Sequence, residues 1–376
     1  MKIFFQRTVP MAALIMAFIL CGGCGAAESM PREEAYGDQS GEEMRRNTGQ
    51  YAEGAWRSTD VAMGTVIQQT LYAPREEASA VSAECMELLE KLEGEELSWR
   101  LDGSEVYRIN ASAHEEGGCA LPEDMALLLE QCMEISESSE GAFDITLGSL
   151  TGLWNIDRWA SEGVQEVSLP SGEEVKEALS LCGSEKLKLE SGPGARLFMP
   201  EGMRLDLGAV GKGVALSRLR TLLEERPEVS GAVISLGGSI LTYGVKPDGS
   251  PWRVAITNPF DTAENVGILS LEGQWCVSTS GDYERYVEAD GVRYHHILDP
   301  ATGYPADTRV RGVSILSKDG LLSDALSTAC FILGPEKGME LAGRYGAEAL
   351  FVMEDGELIL SEGMKRYFTK NDSYRK

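Results

Sequence analysis

Near Gly231 the hydrophobic period of the chain changes. Upstream, Val81, Cys85, Leu88, Leu89 and Leu92 recur at helical spacing, as do Met125, Leu128, Leu129, Cys132 and Ile135 behind a Pro122 start. Downstream come short β-rich runs, "AVISL", "WRVAIT", "VGILSL", "WCVSTS" and "GVSIL", separated by Gly, Asn, Pro and Asp turns. Helical patterns return at 321–333 and 335–345. Helices and strands are partly segregated rather than strictly alternating, which favours an α+β fold, a mixed or antiparallel sheet core with flanking helices, over a doubly wound sheet. No internal repeat, low-complexity block or linker follows residue 56, so one catalytic-size domain is expected over 56–376.

The N-terminal end belongs to no fold. Lys2 and Arg7 precede the apolar run "VPMAALIMAFIL", too short for a comfortable membrane span, and then small residues surround Cys24. This pattern reads as an export signal over residues 1–23. The stretch "LCGGCGAAES" resembles a bacterial lipoprotein signal, in which Cys24 becomes the lipidated N-terminus; an ordinary cleaved secretory peptide is the other reading. Either one exports the protein, and the first places it on the outer face of the cytoplasmic membrane or the periplasmic side, held by a lipid anchor. Residues 24–55, rich in Glu, Gly and Ser and without apolar periodicity, read as a disordered tether.

The charge balance excludes a class of partner. With 60 acidic and 34 basic residues the net charge is −26, a surface that repels nucleic acid and anionic headgroups. An anionic ligand therefore needs a locally compensated pocket built from a metal ion, a helix N-terminus or a few basic side chains. Beyond Cys21 and Cys24, the six remaining cysteines form no CxxC pair, and Cys85, Cys132, Cys182 and Cys330 fall on apolar helical faces, where a thiol acts as a small hydrophobe.

Four segments carry candidate chemistry. In "RLDLGAVGKGVALSRLRTLL" (204–223) a strand-like start passes through Gly208, Gly211 and Gly213 into a helix, with Lys212 at the junction. Such glycines let backbone N–H groups approach an anion, although a plain structural junction explains them equally well. In "SEGAFDITLGSLTGLWNI" (139–156) Asp144 lies in an apolar stretch, either as a turn residue before Thr146 or, with Phe143, facing a ring system that offers stacking area and N–H donors. In "LLSDALSTACFILGPEKGMELA" (321–342) Asp324 and Thr328 stand four apart, so a helix projects both from one face toward a hard cation; the bland reading is an N-terminal helix charge. In "YHHILDPATGYP" (294–305) adjacent His295 and His296 point in different directions on a strand, which suits one general base and one structural imidazole better than zinc; two ordinary strand histidines are the alternative.

Together these segments resemble the ApbE family of FAD:protein FMN transferases. The resemblance rests on "VAMGT" (61–65), "LSWRLDGSEVYRIN" (97–110), "GAFDIT" (141–146), "LDLGAVGKG" (205–213), "ISLGGSI" (234–240), "WRVAI" (252–256), "STSGDYERY" (278–286), "HHILDPATGYP" (295–305) and "LSDALSTACFILG" (322–334), in that order, from about residue 56 to 355. It implies Mg²⁺-dependent transfer of FMN from the substrate FAD to a Thr or Ser hydroxyl of an exported or membrane acceptor flavoprotein, with AMP released. It further implies that Met63, Ala142, Phe143, Asp144, Asp206, Lys212 and Leu298 line the FAD site. Asp324, Thr328 and the Ala209 carbonyl would hold Mg²⁺, and His296 would activate the acceptor hydroxyl. Arg100 departs from the family, standing where many relatives carry an aromatic stacking residue; a guanidinium can stack on a ring or meet a phosphate instead. Two other activities fit the same residues: an FAD pyrophosphatase yielding FMN and AMP, and a non-catalytic flavin-binding lipoprotein.

Overall fold

The computed structural model describes residues 49–156, Trp159 and 168–376. The export signal, Cys24 and most of the expected tether lie outside the described residues.

Nine strands form the large sheet, numbered here along the chain: β1 (Gln50–Ala52), β2 (Ala55–Ala62), β3 (Thr65–Tyr72), β4 (Gly231–Leu236), β5 (Ser239–Gly244), β6 (Trp275–Gly281), β7 (Val310–Ser317), β8 (Glu348–Met353) and β9 (Leu358–Leu360). Every neighbouring pair is antiparallel and each strand lies beside the next one along the chain. The sheet is therefore a meander whose long connections carry the helices. These are α1 (Arg75–Lys91), α2 (Glu105–Ser112), α3 (Glu123–Ser138), α4 (Gly148–Trp154), α5 (Gly172–Ser180), α6 (Gly211–Glu224) and α7 (Gly320–Arg344). The α+β expectation with an antiparallel core holds. Among the described residues no helix is long and apolar enough to cross a membrane.

Both faces of the sheet are covered. Helices bury one face through Ile67, Leu71, Ile234, Leu241, Cys276, Val313 and Ile315, and a three-stranded sheet, including Trp252–Asn258 and Asp261–Leu271, covers the other through Val233, Ile240, Val277, Leu316 and Leu350. Two-sided cover explains why all six residues of β4 are buried and why its sequence, "GAVISL", lacks a polar alternation. The six cysteines in the described residues are free and buried, as small hydrophobes in the core.

One boundary needs correction. The tether expected to reach residue 55 ends earlier, because Gln50–Ala52 pairs with Arg57–Ala55. The two-residue loop between them, Glu53–Gly54, has both φ angles positive (53° and 76°), as a type I′ hairpin turn requires, and Trp56 packs into the core beside it. Neither strand nor turn has the Asn-Gly signature, so composition alone hid the hairpin. The strand-like start at 204–207 is likewise extended chain with a single parallel bridge, Arg204 to Leu147, rather than a strand.

Helices α6 and α7 touch backbone to backbone. A Cβ at Gly213 would lie 2.4 Å from the Gly320 carbonyl oxygen, and one at Gly320 would lie 2.4 Å from the Gly213 carbonyl oxygen. The two helical patterns read at 321–333 and 335–345 are joined as α7 with a kink, since Gly334 adopts φ 76° ahead of Pro335. Gly320→Ala should lower stability by about 1–3 kcal/mol through overpacking. Gly343→Ala, on an exposed turn of the same helix with no atom within 4 Å of the added Cβ, should be neutral or stabilising by up to ~1 kcal/mol. Urea unfolding midpoints of the two variants test this; equal midpoints would mean the crossing has slack.

Candidate functional site

The crossing of α6 and α7 places a carboxylate on a helix N-terminus. Asp324, buried, accepts the Gly213 N–H through Oδ2 at 2.8 Å and the Ser239 hydroxyl through Oδ1 at 3.3 Å, while Lys212 Nζ stands 4.0 Å from Oδ1. The first N–H groups of a helix have no partner inside it, so the carboxylate and the helix end satisfy one another. Burial pushes the Asp324 carboxyl up, opposed by Lys212 and the Gly213 N–H. Gly213 thus serves close helix packing first. The N–H groups of the two glycines before it are taken as well, that of Gly208 by Asp206 Oδ1 and that of Gly211 by the Leu207 carbonyl.

Asp324 forms part of the wall of a cavity of about 300 Å³, large enough for a small-molecule ligand. The same cavity is lined by Met63, Arg100, Ala142, Phe143, Asp144, Asp206, Ala209, Lys212, His296, Leu298 and Thr328, so the fold brings together residues spread over most of the chain. Met63 occupies the β2–β3 turn with φ 53°, beside Gly64 at 67°, and its N–H donates to Glu93 at 2.7 Å. Glu93 comes from a single π-turn, Leu92–Leu97, that continues α1. Asp206 is fixed by its backbone bond to Ile145, which aligns 204–206 beside 145–147, and its carboxylate accepts from the Gly208 N–H and the Thr151 hydroxyl at 2.8 Å each.

Two expectations change at the "AFD" turn. Phe143 has no exposed area: its N–H is held by Ser139 Oγ at 3.1 Å and its ring enters the core, so it offers no face for stacking in this conformation. Asp144 is hydrogen-bonded within its turn and across the fold, accepting from the Thr146 N–H and hydroxyl at 2.7 Å each and from the distant Ser184 hydroxyl at 2.6 Å. This is the turn role, at the border of the cavity.

The aromatic surface comes instead from Trp99, one residue before Arg100. Trp99 lines the cavity, and the Arg100 guanidinium lies 4.2 Å from its ring centroid. Sequence reasoning passed over Trp99, although "LSWR" contained it. It also passed over Glu93, Glu284 and Arg285, which line the same cavity. Glu284 shares the electrostatic neighbourhood of Lys212 and Asp324, and burial raises its pKa.

The two histidines sit in different surroundings, His295 at the end of the strand Val292–His295 and His296 in the bend after it. His296 lines the cavity, and its Nδ1 lies 3.2 Å from the Arg285 carbonyl, whose oxygen also takes the His296 N–H at 3.1 Å. A carbonyl only accepts, so the proton sits on Nδ1 and Nε2 is the basic nitrogen. His295 is buried against Phe331, with Nε2 donating to the Ala306 carbonyl at 3.0 Å and Nδ1 unpartnered among the described residues. Burial, with Arg311 and Arg293 nearby, lowers its pKa to about 4.

Among the described residues no three His, Cys, Asp or Glu side chains cluster for a metal. Asp324, Thr328 and Ala209 all line the cavity, and a carboxylate, a hydroxyl and a backbone carbonyl make a sparse all-oxygen set. That donor set fits a hydrated hard cation such as Mg²⁺, not zinc.

An α+β domain with a cavity beside the α6 N-terminus and Lys212 is the class of protein that the fold and site define, and known proteins match it. The profile of the ApbE family matches residues 63–351, and the chain belongs to that family. It is 35% identical over 323 residues to the FAD:protein FMN transferase of Treponema pallidum (strain Nichols), covering 81% of this chain and 86% of that one. The enzyme of the same name from Klebsiella pneumoniae (strain 342) is 33% identical over 83% of this chain and 94% of its own length. Among solved structures, the ApbE protein of Thermotoga maritima superposes with a TM-score of 0.75 at 30% identity, over 83% of this chain and 99% of that one. The flavin transferase ApbE from Vibrio cholerae gives a TM-score of 0.71 at 28% identity, covering 83% and 98% of the two chains.

The His295 environment carries a pH signature. The folded state refuses the proton down to about pH 4, whereas an unfolded histidine takes it near 6.5. Between those values the unfolded chain binds more protons, so stability is lost as pH falls through this window. Buried Asp282, raised to about 6 mainly by burial against the pull of Arg311 and Arg293, acts in the opposite sense over an overlapping range. His295→Gln keeps a donor for Ala306 and removes the titration. The difference between wild type and variant should therefore shift by roughly 2 kcal/mol from pH 7 to pH 5 in urea unfolding; parallel pH profiles would show that His295 titrates normally.

Proposed function

We propose that this chain is an FAD:protein FMN transferase, moving FMN from FAD onto a Thr or Ser hydroxyl of an acceptor flavoprotein and releasing AMP in a Mg²⁺-dependent reaction. The observation that carries the proposal is the cavity in which the α6 N-terminus, Lys212, Asp324, Thr328 and the His296 ring, held by the Arg285 carbonyl through Nδ1, meet. The names of the relatives support the same reading.

In this reading the pyrophosphate of FAD lies toward the α6 N-terminus and Lys212, which balance charge that the acidic chain otherwise repels. The acceptor hydroxyl attacks the phosphorus on the riboflavin side, a new P–O bond forms, and the bond to the AMP oxygen breaks. His296 Nε2 takes the hydroxyl proton. Its Nδ1–H, anchored on Arg285, fixes the ring and steadies the imidazolium. Asp324, Thr328 and the Ala209 carbonyl would hold Mg²⁺, which supplies charge neutralisation to the phosphate oxygens when bound. Met63, Trp99, Leu298 and Asp206 frame the space for the dinucleotide, and Arg100 meets a ring or a phosphate at the mouth. We place the enzyme on the outer face of the cytoplasmic membrane, tethered through lipidated Cys24.

Incubation with FAD, Mg²⁺ and an acceptor domain bearing a Thr/Ser flavinylation site should leave fluorescent flavin on the acceptor in a denaturing gel. Free FMN with unlabelled acceptor would turn the reading toward hydrolysis. His296→Gln should slow transfer by about 10²–10⁴-fold with little change in FAD affinity. Asp324→Asn, which keeps the Gly213 contact, should lose Mg²⁺-dependent turnover. An unchanged rate in either variant removes the role assigned to that side chain. Cys24→Ala should move the protein from the membrane pellet to the soluble fraction, and its retention in the pellet would remove the lipid anchor.

A further inference from the structure

Strand β6 and helix α7 are joined by hydroxyl pairs: Ser278 Oγ to Ser323 Oγ at 2.8 Å and Ser280 Oγ to Ser327 Oγ at 2.7 Å. The spacing is a match of two periodicities. Two residues along a strand advance about 6.8 Å and four along a helix about 6 Å, so the pairs repeat in step. Ser280 Oγ also lies 3.4 Å from Thr328 Oγ1, and both residues line the cavity.

The protons in this ladder can be assigned. Ser323 donates to the Gly320 carbonyl and Ser327 to the Asp324 carbonyl, each at 2.8 Å, and a carbonyl can only accept. Each helical serine has thereby used its one proton, so the strand serines donate in the Ser278–Ser323 and Ser280–Ser327 pairs. Ser280, having given its proton to Ser327, can only accept from Thr328. The order runs Thr328 O–H to Ser280, Ser280 O–H to Ser327, and Ser327 O–H to the Asp324 carbonyl. At its end the Thr328 hydroxyl hydrogen faces the protein, and its lone pairs are left for the cavity.

We propose that Ser280 is a positioning residue that presents the Thr328 oxygen as an acceptor-only ligand to a divalent cation. This rests on the cation site proposed above. Without Ser280 the Thr328 hydroxyl is free to turn its hydrogen into the cavity, where it opposes a positive charge. Hydrogen-bond partners that orient a metal ligand are typically worth about 10–100-fold in affinity.

The test is titration of the purified protein with Mn²⁺ alone, free Mn²⁺ being read by electron paramagnetic resonance. Ser280→Ala should weaken Mn²⁺ binding roughly tenfold with an unchanged urea midpoint, and Ser280→Thr, which keeps the hydroxyl, should restore it. In a Thr328→Ala background, Ser280→Ala should have no further effect, because the two act through one oxygen. Wild-type affinity in Ser280→Ala, or full additivity of the two substitutions, overturns the positioning role alone. Absence of Mn²⁺ binding by the wild type overturns the cation site and this inference together.

Discussion

The site depends on two helices that cross without side chains between them. Gly213 and Gly320 each occupy the space where the other's Cβ would lie, so the α6 N-terminus can reach Asp324 directly. A buried carboxylate is costly unless it is hydrogen-bonded or paired. Here the helix N–H of Gly213, the Ser239 hydroxyl and the more distant Lys212 ammonium share that task. Widening the crossing by one methyl group would separate the acid from the helix end and from the lysine at once. Packing and electrostatics are therefore one constraint at this point, and the geometry of the cavity floor follows from it.

The antiparallel meander supplies the rigidity that such a contact needs. With helices on one face and a second sheet on the other, the strands that approach the cavity cannot tilt without disturbing two cores. Strand β6 leads directly to Glu284 and Arg285, and the Arg285 carbonyl holds both the backbone and the ring of His296. Behind that turn, Asp282 is clamped by Arg311 at 2.7 Å, which ties the loop to β7. The His296 ring is thus positioned through backbone and buried charge. A surface ion pair would give far less, since exposed pairs contribute little.

How much of this was legible in the sequence depended on the range of the interaction. Helical periodicity located α1 and α3, and Gly334 with Pro335 marked the break inside α7, because these signals are local. The different surroundings of His295 and His296 were legible only in part, because the strand expected under both ends at His295 and His296 follows it in a bend. The β1–β2 hairpin was not, for its turn is Glu-Gly and its strand is only three residues. Trp99, Glu284 and Arg285 escaped because nothing local distinguishes a cavity wall from a loop. Gly213 and Phe143 were ambiguous for the same reason: a glycine for phosphate approach and one for helix packing look alike, as do an aromatic for stacking and one for the core.

The contrast between the two imidazoles shows what the fold adds to residue type. Both rings hydrogen-bond a carbonyl, yet through different nitrogens, and that choice decides which nitrogen carries the proton. In His295 the bare Nδ1 faces a buried, partner-free space next to Phe331, and burial keeps the ring neutral. In His296 the protonated Nδ1 is anchored and the ring borders the cavity. Two identical side chains one residue apart thus acquire a packing role and a candidate base role from the carbonyls of Ala306 and Arg285. On an acidic chain with three histidines in all, the placement of those two carbonyl groups governs which nitrogen of each ring holds the proton.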